Sequence, residues 1–508
     1  MKRSLSLILT LMMLTGLFLV PAASAEDPVQ INILAQIWTP YEEEQRDIFS
    51  KIEEACNVKL NIEWAPRDGF NERVYSTIAS GTLPDMIARW NLSESSMINE
   101  EAIVPLDDWL YLAPNYVKAI GEDAASITNA NDGKLYPIAS IVDIPPAYCM
   151  SVRKDWLDRV GLDVPETWED WLTVWRAFRD QDANGNGEPN DEIPFTVAGE
   201  HISGAWGTAP MLFAGIISNQ YFYLDGNTYQ LVYDHPHYRD YLDIMRLLYS
   251  EGLMDKELVT HNYQDTRALQ AANTAGSALQ FTDATTAAEK TLLESDPDAD
   301  FIPVKPVIGI YGDQLMPARA KFDGRGFFVT VQAEKDGKME AIMRMVDYLF
   351  SDEGTRLINF GVEGQHYTLQ DGKPILSQEI LDGGWTVARG AGLANQTFIL
   401  HWIADMFSQM TFKNKAEEDM TRVEKIAAAA FTMYDEYYYN IPPTLETKAY
   451  AEYATDLLPM AEELRAKCIT GEITVDEFFA QYEAMKPLGL EAINQDAQAA
   501  WNLVNGIE

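Results

Sequence analysis

Cysteine is almost missing from this 508-residue chain: Cys56, Cys149 and Cys468 stand far apart and form no CxxC motif. At most one disulfide is possible, so disulfides do not hold the fold together. Histidine is also scarce. Six are scattered along the chain, and the one close pair, His235 and His237, has a proline between its members, which marks a turn. There is no nucleophile elbow GxSxG, no HExxH, no P-loop and no GxGxxG after a strand, so the common catalytic motifs are missing. Positive charge is short as well, with 38 Lys and Arg against 78 Asp and Glu and a net charge of −40. The acidic residues are spread rather than run in blocks, which serves solubility and argues against binding nucleic acid or anionic lipid. Carboxylates are too abundant for any one pair to single out glycosidase chemistry.

Long apolar runs are confined to the first 25 residues. Lys2 and Arg3 precede an apolar stretch, residues 4–20, and Ala23-Ser24-Ala25 is a small-residue cleavage site. This is the pattern of a secretory signal peptide, too short for a membrane span and ended by Pro21. No cysteine stands at the cleavage site, so a lipid anchor is not expected. The mature chain is read as exported, to a periplasm or the cell exterior, without a direct membrane span. Cleavage takes 508 residues to 483, enough for two or three domains, and removal of Lys2 and Arg3 takes the charge from −40 to −42.

What is present begins with alternation. Residues 29–36 read as a strand, 41–56 as a helix, 58–64 as a half-buried strand, 71–80 as a helix closed by Gly81, and 86–88 as a strand. That order implies a mostly parallel sheet covered by helices. Ligands on such sheets bind beyond the carboxyl ends of the strands, where Gln36, Trp38, Arg89 and Trp90 fall. Further on, 147–153 is strand-like, and Thr167 with Asp170 forms a capping pair for a helix over 168–178. Residues 223–233 read as a hairpin, 238–249 as a helix, 324–331 as a strand and 339–350 as a helix. Beyond these, 414–437, 447–467 and 475–486 are helical.

The densest chemical signal is residues 180–192, where five carboxylates and three asparagines crowd into thirteen positions. A hard cation such as Ca²⁺ takes six to eight oxygen ligands. Asp182, Asn184 and Asn186 alternate with Gly185 and Gly187, which let the backbone curl around an ion and match D-x-[DN]-x-[DN]-G. Two registers are open. One starts at Asp180 in EF-hand fashion and ends at Asp191. The other starts at Asp182 and uses Asp182, Asn184, Asn186, the Glu188 carbonyl, Asp191 and Glu192. Either way the expected role is a structural clamp.

Aromatic residues are plentiful, with 12 Trp, 24 Tyr and 20 Phe. Indole faces stack on the C–H faces of sugar rings. Trp38, Trp90, Trp206, Trp385 and Trp402 lie near glycine or polar residues at predicted loops or element ends, as candidate ligand contacts. Arg89, Arg153 and Arg389 are candidates for bidentate carboxylate binding, against a structural ion pair as the plainer alternative.

Several segments together resemble the extracellular solute-binding proteins of ABC importers. They are residues 151–170 (SVRKDWLDRVGLDVPETWED), 251–253, 348–354 (YLFSDEG), 360–367 (FGVEGQHY), 371–373 and 471–478. The resemblance covers about residues 30–500. It is closest to the large sugar-binding branch with alginate-oligosaccharide-binding and LplA-like lipoproteins. That branch carries a D-x-N-x-N-G-x-x-D-E calcium loop before Ile-Pro, as here at Asp182 to Pro194 with one extra residue, Pro189 or Asn190. The resemblance favours counting from Asp182. It implies an α/β, two-lobe periplasmic-binding-protein fold with a ligand cleft between lobes and a helical C-terminal region. The first lobe would be 26–146 with 322–362, and the second 147–321 with 363–508. It further implies a monomeric receptor that closes on an oligosaccharide, passes it to the permease subunits of an importer, performs no catalysis and holds a structural calcium. Alternative readings are a receptor for a peptide or another polar solute, and an exported glycan-degrading enzyme.

Overall fold

Two sheets organise the chain. Their strands, in chain order, are β1 (Val29–Ile37), β2 (Val58–Pro66), β3 (Met86–Ala88), β4 (Pro137–Asp143), β5 (Tyr148–Arg153), β6 (Ser277–Phe281), β7 (Phe301–Val304), β8 (Phe322–Val329) and β9 (His401–Ile403). The first sheet has the order β9-β4-β8-β3-β1-β2, and the second β6-β5-β7. The computed structural model describes residues 27–507, except 38–45, 91, 130, 144–147, 189, 198–208, 258–260, 262, 318–320, 396, 413, 435 and 440. The expected signal segment, Trp38 and Trp206 lie outside the described residues.

The β-α-β-α-β reading of the first ninety residues holds. β1 pairs in parallel with β2 from Val29–Val58 to Ile37–Pro66, and with β3 at Ile33–Met86. β2 is the outer strand, and its alternation buries Val58 and Leu60 while Lys59 and Asn61 face water. Long-range partners then complete the sheet. β9 runs parallel to β4, with Trp402 opposite Val142. β8 is antiparallel to both β3 and β4, with a register irregularity between Phe322 and Gly326. A Cβ at Gly326, whose φ is +115°, would stand 1.9 Å from the Ile138 carbonyl oxygen. Glycine is therefore required where β8 bulges against β4.

Two separate hydrophobic cores follow. The first surrounds the six-stranded sheet and includes Ile31, Ile87, Phe327 and Ile342. The second holds β5, the indoles Trp156, Trp171 and Trp175, and the C-terminal helices. Helix Trp168–Asp180 shows why it forms. Thr167 Oγ1 accepts from the Asp170 amide at 3.2 Å and Asp170 Oδ2 from the Thr167 amide at 3.0 Å, the expected capping box. Its Trp168, Trp171, Trp175 and Phe178 are buried at helical spacing, each side chain contributing about 1.5–3 kcal/mol. The division of the chain departs from expectation in one stretch. Leu376, Ile380, Leu393, Phe398, Trp402 and Met410 pack in the first core, not the second. The reason is β9, which adds to the edge of the first sheet and draws its flanking helices, Gln378–Gly390 and Ala404–Phe412, with it. The chain thus passes between cores after β4, before β8, and after helix Ala404–Phe412.

Local expectations fared well. The C-terminal helices run Arg422–Met433, Lys448–Thr470 and Val475–Met485. Cys56, Cys149 and Cys468 are all free thiols, and burial pushes the Cys56 thiol up to about 11. No helix among the described residues is long and apolar enough to cross a membrane.

Candidate functional site

The parallel strands β1, β3, β4 and β9 all end at one edge of the first sheet, and antiparallel β8 begins there. Two of the crossings to the second core, after β4 and before β8, leave from this edge. Gln36, near the end of β1, is 3 % exposed, and its Oε1 is buried without a hydrogen-bond partner among the described residues. Its own carbonyl accepts from Thr397 Oγ1 at 3.0 Å. Arg89 follows β3 directly. Its amide donates to the Gly326 carbonyl at 3.0 Å, and its guanidinium lies 5.3 Å over the Phe328 ring. Its Nε and Nη1 are buried with no hydrogen-bond partner among the described residues. Arg89 also acts on Glu94, whose carboxyl burial holds above the usual range while the guanidinium pulls it back. Trp90 is half-buried beside it.

Trp402 on β9 and Trp385 from helix Gln378–Gly390 meet edge to face, with ring centres 6.0 Å apart. Phe407 lies 5.8 Å from Trp385 and 6.2 Å from Trp402. Two guanidiniums join these rings: Arg325 stands 4.9 Å over Trp402, and Arg389 stands 5.4 Å over Trp385. Each such contact contributes about 0.5–2 kcal/mol, more when desolvated. Arg325 was not singled out from sequence. A signal was there: an arginine between Gly324 and Gly326, both at positive φ, just before the apolar run Phe327-Phe328-Val329. It is 5 % exposed.

Arg153 is placed elsewhere. It is fully buried at the end of β5 in the second sheet, where its Nε and Nη2 bind Asp155 at 2.7 and 2.6 Å, its Nη1 binds Asn273, and Asp296 lies 3.5 Å away. Its face packs on Trp156 and Phe301. These contacts engage it as the hub of a structural ion pair. The His235–His237 segment is a turn, as read. His235 Nδ1 accepts from the His237 amide at 3.0 Å, and His237 stacks on Tyr311. Burial, followed by the neighbouring His237, pulls His235 down to about 4.

The acidic loop sits at the end of helix Trp168–Asp180. Asp180 is turned outward in a pair with Arg179 at 2.7 and 2.9 Å, which leaves Asp182 as the first inward carboxylate. Asp182 Oδ2 accepts from the Gly187 amide at 3.0 Å, while its Oδ1 is buried without a hydrogen-bond partner among the described residues. Glu192, 6 % exposed, accepts from the amides of Ala183, Asn184 and Asn190 at 2.8, 3.3 and 3.1 Å. Asn184 and Asn186 donate to the two oxygens of Asp191 at 3.0 and 2.7 Å, and their own Oδ1 atoms accept from the Asn186 and Glu188 amides. The loop is thus drawn around its own carboxylates. No group of three or more His, Cys, Asp or Glu arranged to hold a metal is found among the described residues.

Comparison with known proteins gives three relatives. Lipoprotein LipO of Bacillus subtilis is 24% identical, over 92% of this chain and 91% of its own. The polygalacturonan/rhamnogalacturonan-binding protein YtcQ of the same organism is 21% identical, over 94% and 92%. The fructooligosaccharide ABC transporter substrate-binding protein FusA of Streptococcus pneumoniae is 30% identical over 44% of each chain. No protein-family model matches. Among solved structures, alginate-binding protein AlgQ2 without calcium ion superposes with a TM-score of 0.73 at 23% identity, covering 94% of this chain and 98% of its own. FusA in complex with kestose superposes with a TM-score of 0.68 at 20% identity, covering 94% and 100%. An EF-hand mutant of FusA superposes equally well. Two of the relatives align along nearly the whole chain, and its α/β fold with a helical C-terminal region is the fold of the solute-binding structures on which it superposes.

Proposed function

We propose that the protein is an extracytoplasmic receptor that captures an oligosaccharide between two lobes and delivers it to an ABC importer, without turning it over. The observation that carries this reading is the collection at the carboxyl edge of the first sheet. Gln36 and Arg89 present buried polar atoms that lack partners, and Trp385 and Trp402 set two indole planes nearly at right angles. Buried polar atoms without partners are costly and mark places where a polar ligand completes the hydrogen bonding. Indole faces bury sugar C–H surface beside them. The site consists of Gln36, Arg89, Trp90, Arg325, Trp385, Arg389 and Trp402, with Trp38 and Trp206 as further members from sequence.

The loop at 182–192 fits a structural Ca²⁺. Its donors are the hard oxygens that the ion requires, and the buried Oδ1 of Asp182 lacks a partner. Asp182, Asn184, Asn186, the Glu188 carbonyl, Asp191 and Glu192 would hold it. The ion would supply charge neutralisation and a clamp. The loop joins helix Trp168–Asp180 to the segment where Ile193 and Thr196 bridge to Ala275 and Ala278, so a clamp here braces the second core.

The test is a thermal-shift screen of the mature protein against neutral and uronic-acid oligosaccharides, with recovery of the sugar afterwards. A raised melting temperature with intact sugar is expected, and Trp402→Ala should weaken the effective glycan by about ten- to hundredfold, the cost of roughly 1.4–2.8 kcal/mol. Cleaved product in the recovered sample would refute the receptor reading.

A further inference from the structure

A polar seam joins the two lobes at a point remote in sequence from the proposed ligand contacts. Glu446 lies on the segment before helix Lys448–Thr470 and belongs to the second lobe. That segment is fixed there: Asn219 Nδ2 donates to the Pro442 and Pro443 carbonyls at 3.0 and 3.1 Å, Tyr229 donates to Pro443, and Leu445 is buried in the second core. Across the seam stands helix Glu94–Asn99 of the first lobe, with Leu92 and Met97 in the first core. Glu446 Oε2 accepts from Ser93 Oγ at 2.9 Å and from the Ser95 amide at 3.1 Å. The Glu446 carbonyl accepts from Ser95 Oγ at 3.1 Å and from Asn131 Nδ2 at 3.0 Å. One residue of one lobe thus takes four hydrogen bonds from three residues of the other, two of them to its carboxylate, where such bonds are strongest.

We propose that Glu446 is a positioning residue that latches the two lobes together, so that opening for ligand exchange requires these four bonds to break. The inference rests on the two-lobe receptor reading. The latch is built to be released. Ser93 serves at the same time as the cap of helix Glu94–Asn99, accepting from the Ser96 amide at 3.2 Å. Its hydroxyl, once freed from Glu446, therefore still has work within its own lobe. Glu94 stands beside Glu446, and their mutual repulsion opposes the closed contact. Asn129 Nδ2 donates to Glu94 at 2.9 Å, and the positive charge of Arg89 favours its ionised form. The seam is therefore a balance between directed hydrogen bonds and two neighbouring carboxylates, as a reversible closure requires.

Small-angle scattering of the ligand-free mature protein tests this directly. Glu446→Ala should raise the radius of gyration by about 1 Å from the roughly 23 Å expected for a compact chain of this length. Glu446→Gln, which keeps one side-chain oxygen able to accept from Ser93 and Ser95 but loses the charge, should fall between it and the wild type. Hydrogen exchange at the Ser95 amide should rise at least about tenfold in Glu446→Ala while the interior of helix Lys448–Thr470 keeps its protection. If wild type and Glu446→Ala give coincident scattering and unchanged Ser95 exchange while both stay folded, the latch does not exist. Should Glu446→Ala fail to fold, Asn131→Ala applies the same test from the other lobe, with a smaller increase expected and no increase overturning the proposal. None of these measurements uses a ligand, so a protein that binds no glycan still tests the latch.

Discussion

Arg153 and Arg325 are both buried guanidiniums, and they are handled in opposite ways. Arg153 is enclosed by Asp155, Asp296 and Asn273, the full pairing that a buried charge requires. Arg325 lies over the indole of Trp402 at the sheet edge where Gln36 and Arg89 hold unpaired atoms. Glu289 is the acidic counterpart near β7 of the second sheet. It is fully buried, 3.3 Å from Arg422, and accepts from the Phe301 amide. Burial pushes its carboxyl up to about 7, with Arg422 opposing, from 4.5 in an unperturbed side chain. Between those values the folded protein holds a proton that the unfolded chain has lost, so this group's contribution to stability falls as pH rises through the window. Glu289→Gln removes that loss and leaves Arg422 its partner Asp300. Relative to wild type, the variant should gain on the order of 1–3 kcal/mol between pH 5 and pH 8 in denaturant melts. Parallel pH profiles for the two proteins would show that Glu289 does not titrate there.

At the scale of elements, what was legible in the sequence was local. The Thr167–Asp170 box and the amphipathic spacing of helix Trp168–Asp180 depend on residues three or four apart. What was not legible depended on distant partners. Nothing near His401–Ile403 announces that this three-residue strand completes a sheet begun at Val29, and for that reason residues 363–410 were placed with the wrong core. Arg325 was missed for the same reason, since its meaning comes from Trp402, 77 positions away. The acidic loop is intermediate. Its alternation of Asp, Asn and Gly is local, and Asp180 turns outward toward Arg179. Chelation to sub-micromolar free calcium should lower stability by about 2–4 kcal/mol, the linkage expected when calcium far exceeds its dissociation constant. Asp182→Ala should abolish the response. Indifference of the wild type to chelator would leave the loop as a turn closed by its own amides.

At the scale of the molecule, two cores joined by three crossings place the polar and aromatic edge of the first sheet facing the passage to the second. The strongly negative charge, −40 over the chain, repels anionic glycans at long range. Arg89, Arg325 and Arg389 oppose this locally, so charge alone does not choose between neutral and acidic sugars. Titration calorimetry of the mature protein against a panel of neutral and uronic-acid oligosaccharides, with the sugar analysed afterwards, addresses the central claim most directly. Saturable binding of one intact oligosaccharide per protein chain is the predicted result. Heat from continuing turnover, or no binding to any member of the panel, would contradict it.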